Sequence, residues 1–149
     1  MKTRPLICFL VILLTACKKK DGVSAETVSL LQNRWTLISS SVVFPTYPAL
    51  NSTYKGVATD YYLFNTNDSL TIHMAGQAEL PAFPLMTTVK YSFVNNNTIV
   101  YGPGTNVQIN IKTLTNNLLV LTNEASSSNV NANNTVTTYK GTKTDSLMR

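Results

Sequence analysis

The chain has 149 residues, with 12 basic and 7 acidic side chains and a net charge of +5. The positive excess lies at the N-terminus, because the residues from Asp21 onward carry 7 basic and 7 acidic side chains. This placement argues against a nucleic-acid-binding domain, which needs a basic surface on the folded part. Charged residues make up only 13% of the chain, and Thr and Asn, which favour strands and turns, fill the polar positions instead.

The N-terminal segment begins with Lys2 and Arg4, continues as an apolar run over residues 6–14, and ends in Leu14-Thr15-Ala16-Cys17. A positive start, a short apolar run and small residues are typical of a secretory signal, and the run is shorter than the ~20 residues of a membrane-spanning helix. The final tetrapeptide resembles the bacterial lipobox, which is cut before a cysteine that becomes lipidated. We therefore expect a signal peptide over residues 1–16 and a lipid anchor on Cys17.

The segment after the cut is expected to be a lipidated tether over residues 17–23, with a lysine run at residues 18–20 that suits anionic head groups. Cys8 leaves with the signal and Cys17 takes the lipid, so no thiol remains for a disulfide, a metal site or a nucleophile. We expect one folded domain over residues 24–149, held in the bacterial cell envelope at the outer membrane, on its periplasmic or surface face.

The folded domain is predicted to start with one short helix over residues 24–33, in which Ser24 is the N-cap and Val28 and Leu31 share a face. Apolar and β-branched runs separated by turn residues then predict eight strands. They cover residues 34–43, 60–64, 69–74, 86–94, 98–101, 106–113, 118–123 and 135–140. The Pro- and Tyr-bearing stretch 44–56 and the polar stretch 125–134 are predicted to be loops.

Strict alternation of side chains supports an antiparallel sheet with one apolar face. Leu70, Ile72 and Met74 fall on one side of their strand, and Thr, Lys, Asn and Gln fill most positions of the other side in comparable strands. Eight strands in consecutive hairpins predict an all-β fold, an eight-stranded antiparallel up-and-down barrel with a short N-terminal helix. A two-layer sandwich is compatible with the same pattern.

The order of these motifs resembles that of the lipocalin-like (calycin-type) lipoproteins of Bacteroidota, over nearly the whole chain after the cut. Such domains usually carry Asp-Gly in the second turn, where this chain has Asp68-Ser69. The resemblance implies a calycin-type barrel and an exported lipoprotein. The motifs are the lipobox, Arg34-Trp35-Thr36-Leu37, Tyr62-Leu63-Phe64, Asn67-Asp68-Ser69-Leu70, Tyr91-Ser92-Phe93, Leu118-Leu119-Val120-Leu121 and Thr137-Thr138-Tyr139-Lys140.

No residue pattern predicts catalysis. His73 is the only histidine, and alternation places it on the outer face, without a second metal ligand or an orienting acid. The acids, including Asp60 and Asp145, are scattered along the chain and form no local pair. We therefore expect no enzyme activity, no catalytic or metal-binding residue, no cofactor and no nucleic-acid partner.

Two functional hypotheses fit this sequence. The first is a barrel that binds a small apolar ligand, with candidate lining residues Trp35, Tyr62, Phe64, Ile72, Met74, Tyr91 and Phe93. The second is a solid barrel that binds an envelope protein or a glycan through its loops. In the first hypothesis Trp35 either closes one end of the barrel or forms a cavity wall. The tyrosines around the first loop either cover the core or receive a ligand.

Overall fold

The computed structural model of the protein describes residues 22–75, 86–102, 107–130 and 132–149. The predicted signal peptide, Cys17 and the lysine run lie outside the described residues. No helix within these ranges is long and apolar enough to cross a membrane. The described elements are α1 (Ala25–Leu31), a 3₁₀ turn (Pro48–Leu50), β1 (Arg34–Val43), β2 (Ser52–Lys55), β3 (Tyr61–Phe64), β4 (Ser69–His73), β5 (Met86–Asn95), β6 (Thr98–Tyr101), β7 (Val107–Leu114), β8 (Leu118–Val130) and β9 (Val136–Met148).

Eight of these strands form a closed antiparallel barrel. From β3 to β9 each strand pairs with the next in the chain, and β1 pairs with β3 on one edge and with β9 on the other. Since β1 closes the ring, the predicted eight-stranded up-and-down barrel is confirmed and the two-layer sandwich is excluded. The helix α1 and the turns at residues 65–68, 95–97 and 115–117 lie at one end, called here the helix end; the opposite end is called the far end.

The first predicted loop is wrong in part, because residues 44–56 contain the 3₁₀ turn and the whole of β2. This short strand shares an edge of β1 with β3: Ser40 pairs with Tyr54, and Trp35 pairs with Tyr62 nearer the helix end. The chain bulges out between the two strands, with the Gly56 N–H donating to the Ile38 carbonyl. Strand β2 was not predicted, because three of its four residues are exposed and one is half-buried, so its sequence shows no alternation of apolar and polar residues.

The second predicted loop, residues 125–134, is wrong in part, because residues 125–130 belong to β8, and the last strand runs on past its predicted end at Lys140. Strands β8 and β9 continue past the barrel as a two-stranded ribbon of six residue pairs, from Ala125↔Gly141 to Val130↔Val136. Among the described strands, no other pairs with this part of β8 or β9. Most side chains of this ribbon are exposed and none is fully buried, so no apolar alternation is needed, and its Ser- and Asn-rich sequence resembles that of a loop.

The helix end of the barrel is filled with side chains. Eight are at most 1% exposed: Leu31, Trp35, Leu37, Phe64, Leu70, Ile99, Leu119 and Leu147. The Trp35 indole Nε1–H donates to the Leu31 carbonyl at 3.0 Å, which joins α1 to β1, and the Arg149 guanidinium lies 4.8 Å from the Trp35 ring centre. Val23, which lies within the predicted tether, is buried.

Candidate functional site

The barrel interior contains a buried polar cluster at the inner ends of Tyr62, Lys143 and Asp145. The Tyr62 hydroxyl donates to Asp145 Oδ2 at 2.7 Å, and Lys143 Nζ lies 2.8 Å from the same oxygen and 3.4 Å from the Tyr62 hydroxyl. Alternation along β9 with the buried Leu147 directs Asp145 and Lys143 inward. The side chain of Asp145 is 4% exposed and that of Lys143 is 31% exposed, so the cluster reaches from the core toward solvent.

The second carboxylate oxygen of Asp145 has no partner. Oδ1 is buried and accepts no hydrogen bond from the described part of the chain, whereas Oδ2 accepts from both Tyr62 and Lys143. Leaving a buried acceptor unsatisfied costs about 1–3 kcal/mol, and native proteins contain few such atoms. Oδ1 is therefore the oxygen of this buried carboxylate that lacks a donor among the described residues.

The negative charge of Asp145 helps to raise the pKa of two tyrosines, Tyr62 and Tyr101. Burial, followed by the negative charge of Asp145 and the hydrogen bond to it, raises the pKa of Tyr62 well above its ordinary value. Burial and the same charge also raise the pKa of Tyr101. Both side chains stay neutral hydroxyls in the physiological range, so they can donate hydrogen bonds and are poor bases.

A second buried carboxylate holds the connection between β2 and β3. Asp60 Oδ2 accepts from the Tyr54 hydroxyl at 2.5 Å and from the Val57 N–H at 3.1 Å. Loss of hydration, together with the hydrogen bond to Asp60 and its charge, raises the pKa of Tyr54 to about 12. The backbone carbonyl of Asp60 also accepts from the Leu37 N–H at 2.9 Å. Since both its side chain and its backbone hold this connection, we assign Asp60 a structural role.

The seven predicted lining residues all belong to the interior hydrophobic cluster, but they fall into two groups. Trp35, Tyr62, Phe64 and Tyr91 are buried in the core, and Ile72, Met74 and Phe93 are partly exposed against it. The aromatic rings pack edge to face, with 5.4 Å between the centres of Phe64 and Tyr91. Trp35 and Phe64 are sealed at the helix end, which supports the packing role for Trp35. Ligand contact by any of the seven stays a prediction.

The inner face toward the far end has incompletely buried apolar side chains. Ile72, Val89, Tyr101 and Val107 all pack against the core yet stay partly exposed. A cleft of about 440 Å³ at this edge of β7 belongs mainly to the outer face, because it is lined among the described residues by the outward-facing Gln108, Asn110 and Glu124 together with Val107. It lies where the β7–β8 ladder has ended beyond the Asn110↔Thr122 pair. The far half of the interior is thus the less filled one.

The tyrosines around the first loop do not form one aromatic patch. Tyr54 and Tyr62 face the interior carboxylates, and Tyr47 stacks on Tyr139 with 4.8 Å between ring centres. Tyr61 stacks on His73, whose Nδ1 lies 2.7 Å from the Thr59 carbonyl oxygen, on the outer face as alternation predicted. In the described ranges no group of three or more His, Cys, Asp or Glu side chains could hold a metal ion.

Sequence reasoning missed Lys143, Asp145 and Tyr101 as site residues. The last strand was predicted to stop at Lys140, which left the two β9 residues outside any strand and without a direction. The signal was present in the alternation Lys143, Asp145, Leu147, which leads into a fully buried leucine. A charged pair at positions with core periodicity marks a buried polar site inside a barrel.

Comparison with known proteins adds one structural similarity. No protein-family model matches the chain, and no curated protein does. Among solved structures, a deswapped triple mutant of bovine odorant-binding protein is similar, with a TM-score of 0.44, 15% sequence identity, and coverage of 80% of this chain and 73% of that one. The eight-stranded closure is established by the strand pairing of this chain itself.

Proposed function

We propose that the protein binds one small, mainly apolar ligand in the far half of its barrel and performs no chemistry on it. The observation that carries this proposal is the contrast along the barrel axis. The helix end is packed with fully buried side chains, whereas inner-face residues such as Ile72, Val89 and Val107 stay partly exposed. An apolar site with a few placed polar groups is the usual form of a small-molecule site.

The size of the barrel limits the ligand. The interior of an eight-stranded barrel is just wide enough to be filled by side chains or to hold one small ligand. Here Trp35, Phe64 and Leu119 occupy the helix end. The ligand therefore lies above this layer, beside the polar cluster of Tyr62, Lys143 and Asp145.

The polar cluster supports binding over catalysis. Asp145 is paired with Lys143 and holds the Tyr62 hydroxyl, so neither a free base nor an activated nucleophile results. A raised pKa keeps Tyr62 protonated, which is the wrong direction for a general base near neutral pH. These groups can orient a ligand through hydrogen bonds.

The test is a titration with the fluorescent apolar probe N-phenylnaphthylamine, using two adjacent threonines as a matched pair. Thr87 pairs with Ile72 and is half-buried, whereas Thr88 is exposed on the outer face. We expect Thr87→Trp to fill the interior and weaken probe binding at least about tenfold, a loss of roughly 1.4 kcal/mol. Thr88→Trp should bind like the unmodified protein. Equal binding by both variants, or no saturable binding at all, would contradict the proposal.

A second candidate function is favoured by the β8–β9 ribbon. Six residue pairs extend it roughly 20 Å past the barrel strands. Val130 and Val136 near its tip are 58% and 61% exposed. Such a ribbon would suit an interaction module that binds an envelope protein. A photo-crosslinking residue at Ser128 should then capture one defined partner in the native envelope, and one on the outer barrel at Thr88 should not.

The membrane location is part of the same proposal. The apolar run and Leu14-Thr15-Ala16-Cys17 support a lipid anchor on Cys17 in the bacterial envelope, with the outer membrane as the expected site. The Cys17→Ala variant should fail to incorporate labelled palmitate and should keep its signal. Label incorporation by this variant would place any acylation elsewhere and contradict the anchor.

A further inference from the structure

We propose that the ligand carries a neutral hydroxyl head group, which donates a hydrogen bond to Asp145 Oδ1 inside the barrel. This inference rests on the proposed ligand binding and specifies the chemical class of the ligand. It assigns Asp145 and Lys143 as the residues that select the head group, and the apolar inner face as the place of its chain.

The first step is the unused acceptor. Asp145 Oδ2 already accepts from the Tyr62 hydroxyl and the Lys143 ammonium, and Oδ1 accepts from nothing in the described part of the chain. Only 3% of the residue is exposed. A carboxylate in this setting favours a partner that brings a donor, since hydrogen bonds to charged groups are the stronger ones.

The second step is the charge of the cluster. Lys143 and Asp145 form an ion pair at 2.8 Å, so the charges of the two groups cancel. An ammonium head group would have to approach the Lys143 ammonium, and a carboxylate head group would have to approach Asp145. Each ion would meet a like charge within the partly desolvated barrel, where repulsion is weakly screened. A neutral hydroxyl avoids both penalties.

The third step is the match between a hydroxyl and the two groups. A hydroxyl has one donor and two acceptor lone pairs, and an ammonium has three donors. Lys143 uses its donors on Asp145 Oδ2 and the Tyr62 hydroxyl, and the described residues take no third. The ligand hydroxyl can thus donate to Asp145 Oδ1 and accept from Lys143.

Access to the carboxylate follows from the position of Lys143. It lies two residues nearer the far end than Asp145, on the same face of β9, and its side chain is 31% exposed. The exposed part of this side chain borders the far end, so a head group that enters from there meets the cluster at Lys143 while the ion pair with Asp145 stays in place. The apolar chain of the ligand then lies along partly exposed inner residues such as Val89 and Val107.

The experiment compares octanol with octyl methyl ether, which share the apolar chain and differ in the hydrogen-bond donor. Each competes with N-phenylnaphthylamine for the full folded domain. We expect the protein to prefer octanol by about tenfold, because the ether cannot donate to Asp145 Oδ1. Octylamine and octanoate should bind more weakly than octanol.

The variant Asp145→Asn tests the assigned atom. Tyr62 and Lys143 both donate, so the amide oxygen takes the Oδ2 position and the NH₂ group takes that of Oδ1. The acceptor becomes a donor, and the preference for octanol should fall to about one. Glu26→Gln is the matched control, because it makes the same carboxylate-to-amide change at an exposed position in the first turn of α1, at the helix end, and should keep the preference.

The outcomes separate the two proposals. Binding of octanol and its ether with equal affinity by the unmodified protein would overturn the hydroxyl assignment and leave apolar binding intact. Tighter binding of octylamine or octanoate would also overturn it, as would an unchanged preference in folded Asp145→Asn. Failure of every probe to bind would contradict the proposed function itself. The comparison in the unmodified protein is decisive even where the variant does not fold.

Discussion

Each of the two buried carboxylates holds a tyrosine hydroxyl inside the barrel, and these pairs make the interior sensitive to alkaline pH. Asp145 accepts from Tyr62, and Asp60 accepts from Tyr54. In both pairs, burial and the neighbouring negative charge disfavour the tyrosinate, so the pKa of the tyrosine is raised in the folded state. The unfolded chain has no such effect, and its tyrosines ionise near pH ~10.

The resulting prediction concerns Tyr62→Phe. A pKa that is raised on folding contributes stability that is present below pH ~10 and is lost as pH rises toward the folded pKa. The variant should lose about 1.5–3 kcal/mol at neutral pH, because it removes a hydrogen bond to a charged group. Its stability should also decline less steeply above pH ~10 than that of the unmodified protein. Urea unfolding at neutral and alkaline pH measures both effects.

The control for this prediction is Tyr47→Phe. Tyr47 is 40% exposed and contacts the ring of Tyr139, not a carboxylate. Its stability curve should follow that of the unmodified protein at every pH. An alkaline decline in Tyr62→Phe as steep as in the unmodified protein would show that Tyr62 is not the tyrosine that stays protonated.

Gly56 is required by a close backbone approach between β1 and the bulge that follows β2. A Cβ at this position would lie 2.0 Å from the Leu37 carbonyl oxygen and 2.7 Å from its carbon. These are backbone atoms and cannot move aside as a side-chain tip could. We expect Gly56→Ala to destabilise the fold by about 2 kcal/mol or more in thermal or chemical unfolding. The nearby exposed Ser52→Ala should stay within about 0.5 kcal/mol, and equal stability of the two variants would argue against this approach.

At the scale of elements, the β8–β9 hairpin has two parts with different support. From Leu118 to Glu124, β8 faces the core and pairs with β9, which is also bonded to β1. From Ala125 to Val130, the two strands pair only with each other among the described elements. An isolated two-stranded ribbon in water is marginally stable. The outer part should therefore open without the barrel.

Native-state hydrogen exchange tests this division. Amide protons of residues 125–130 and 136–141 should exchange by local opening, far faster than those of residues 118–123 and 143–148 in the same two strands. The barrel part serves as the internal control, since both parts have the same solvent and chain connectivity. Uniform protection along the whole hairpin would mean that another segment or a second molecule supports the ribbon.

Sequence alone was sufficient for the elements whose burial alternates. Strands β5 and β7 were predicted to within about one residue, because apolar side chains occupy every second position of each strand. The buried ones are Tyr91 in β5 and Ile109 and Ile111 in β7. The helix was predicted from Ser24, whose side chain does accept from the Thr27 N–H at 3.0 Å. The outer ribbon and β2 were missed because neither has a buried face to impose a pattern.

The candidate site was less predictable than the fold, for a physical reason. The apolar candidates Ile72 and Phe93 follow from strand periodicity. The polar cluster depends on β9 running beside β1, which brings Asp145 opposite Ser40 and within reach of Tyr62, a contact across 83 positions of the chain. Such pairing is fixed by barrel closure and register, which no local pattern encodes.

At the scale of the whole molecule, the barrel is closed by its own strands, filled at the helix end and less filled toward the far end. Arg149 and α1 pack around Trp35 and fix the helix end, while Ser24 N–H donates to Asn96 Oδ1 at 2.6 Å. This arrangement leaves the far half as the region where a ligand can enter without disturbing the packed core. Binding there should stabilise the folded state in proportion to ligand concentration.

The measurement that tests this account most directly is methyl nuclear magnetic resonance of the folded domain titrated with octanol. Saturable shifts should appear at Ile72, Val89 and Val107, which line the far half. The buried Leu147 and the exposed ribbon valine Val130 should shift little. Shifts confined to the ribbon, or an absence of saturable shifts on the inner face, would contradict a ligand-binding barrel and favour a solid one that acts through its surface.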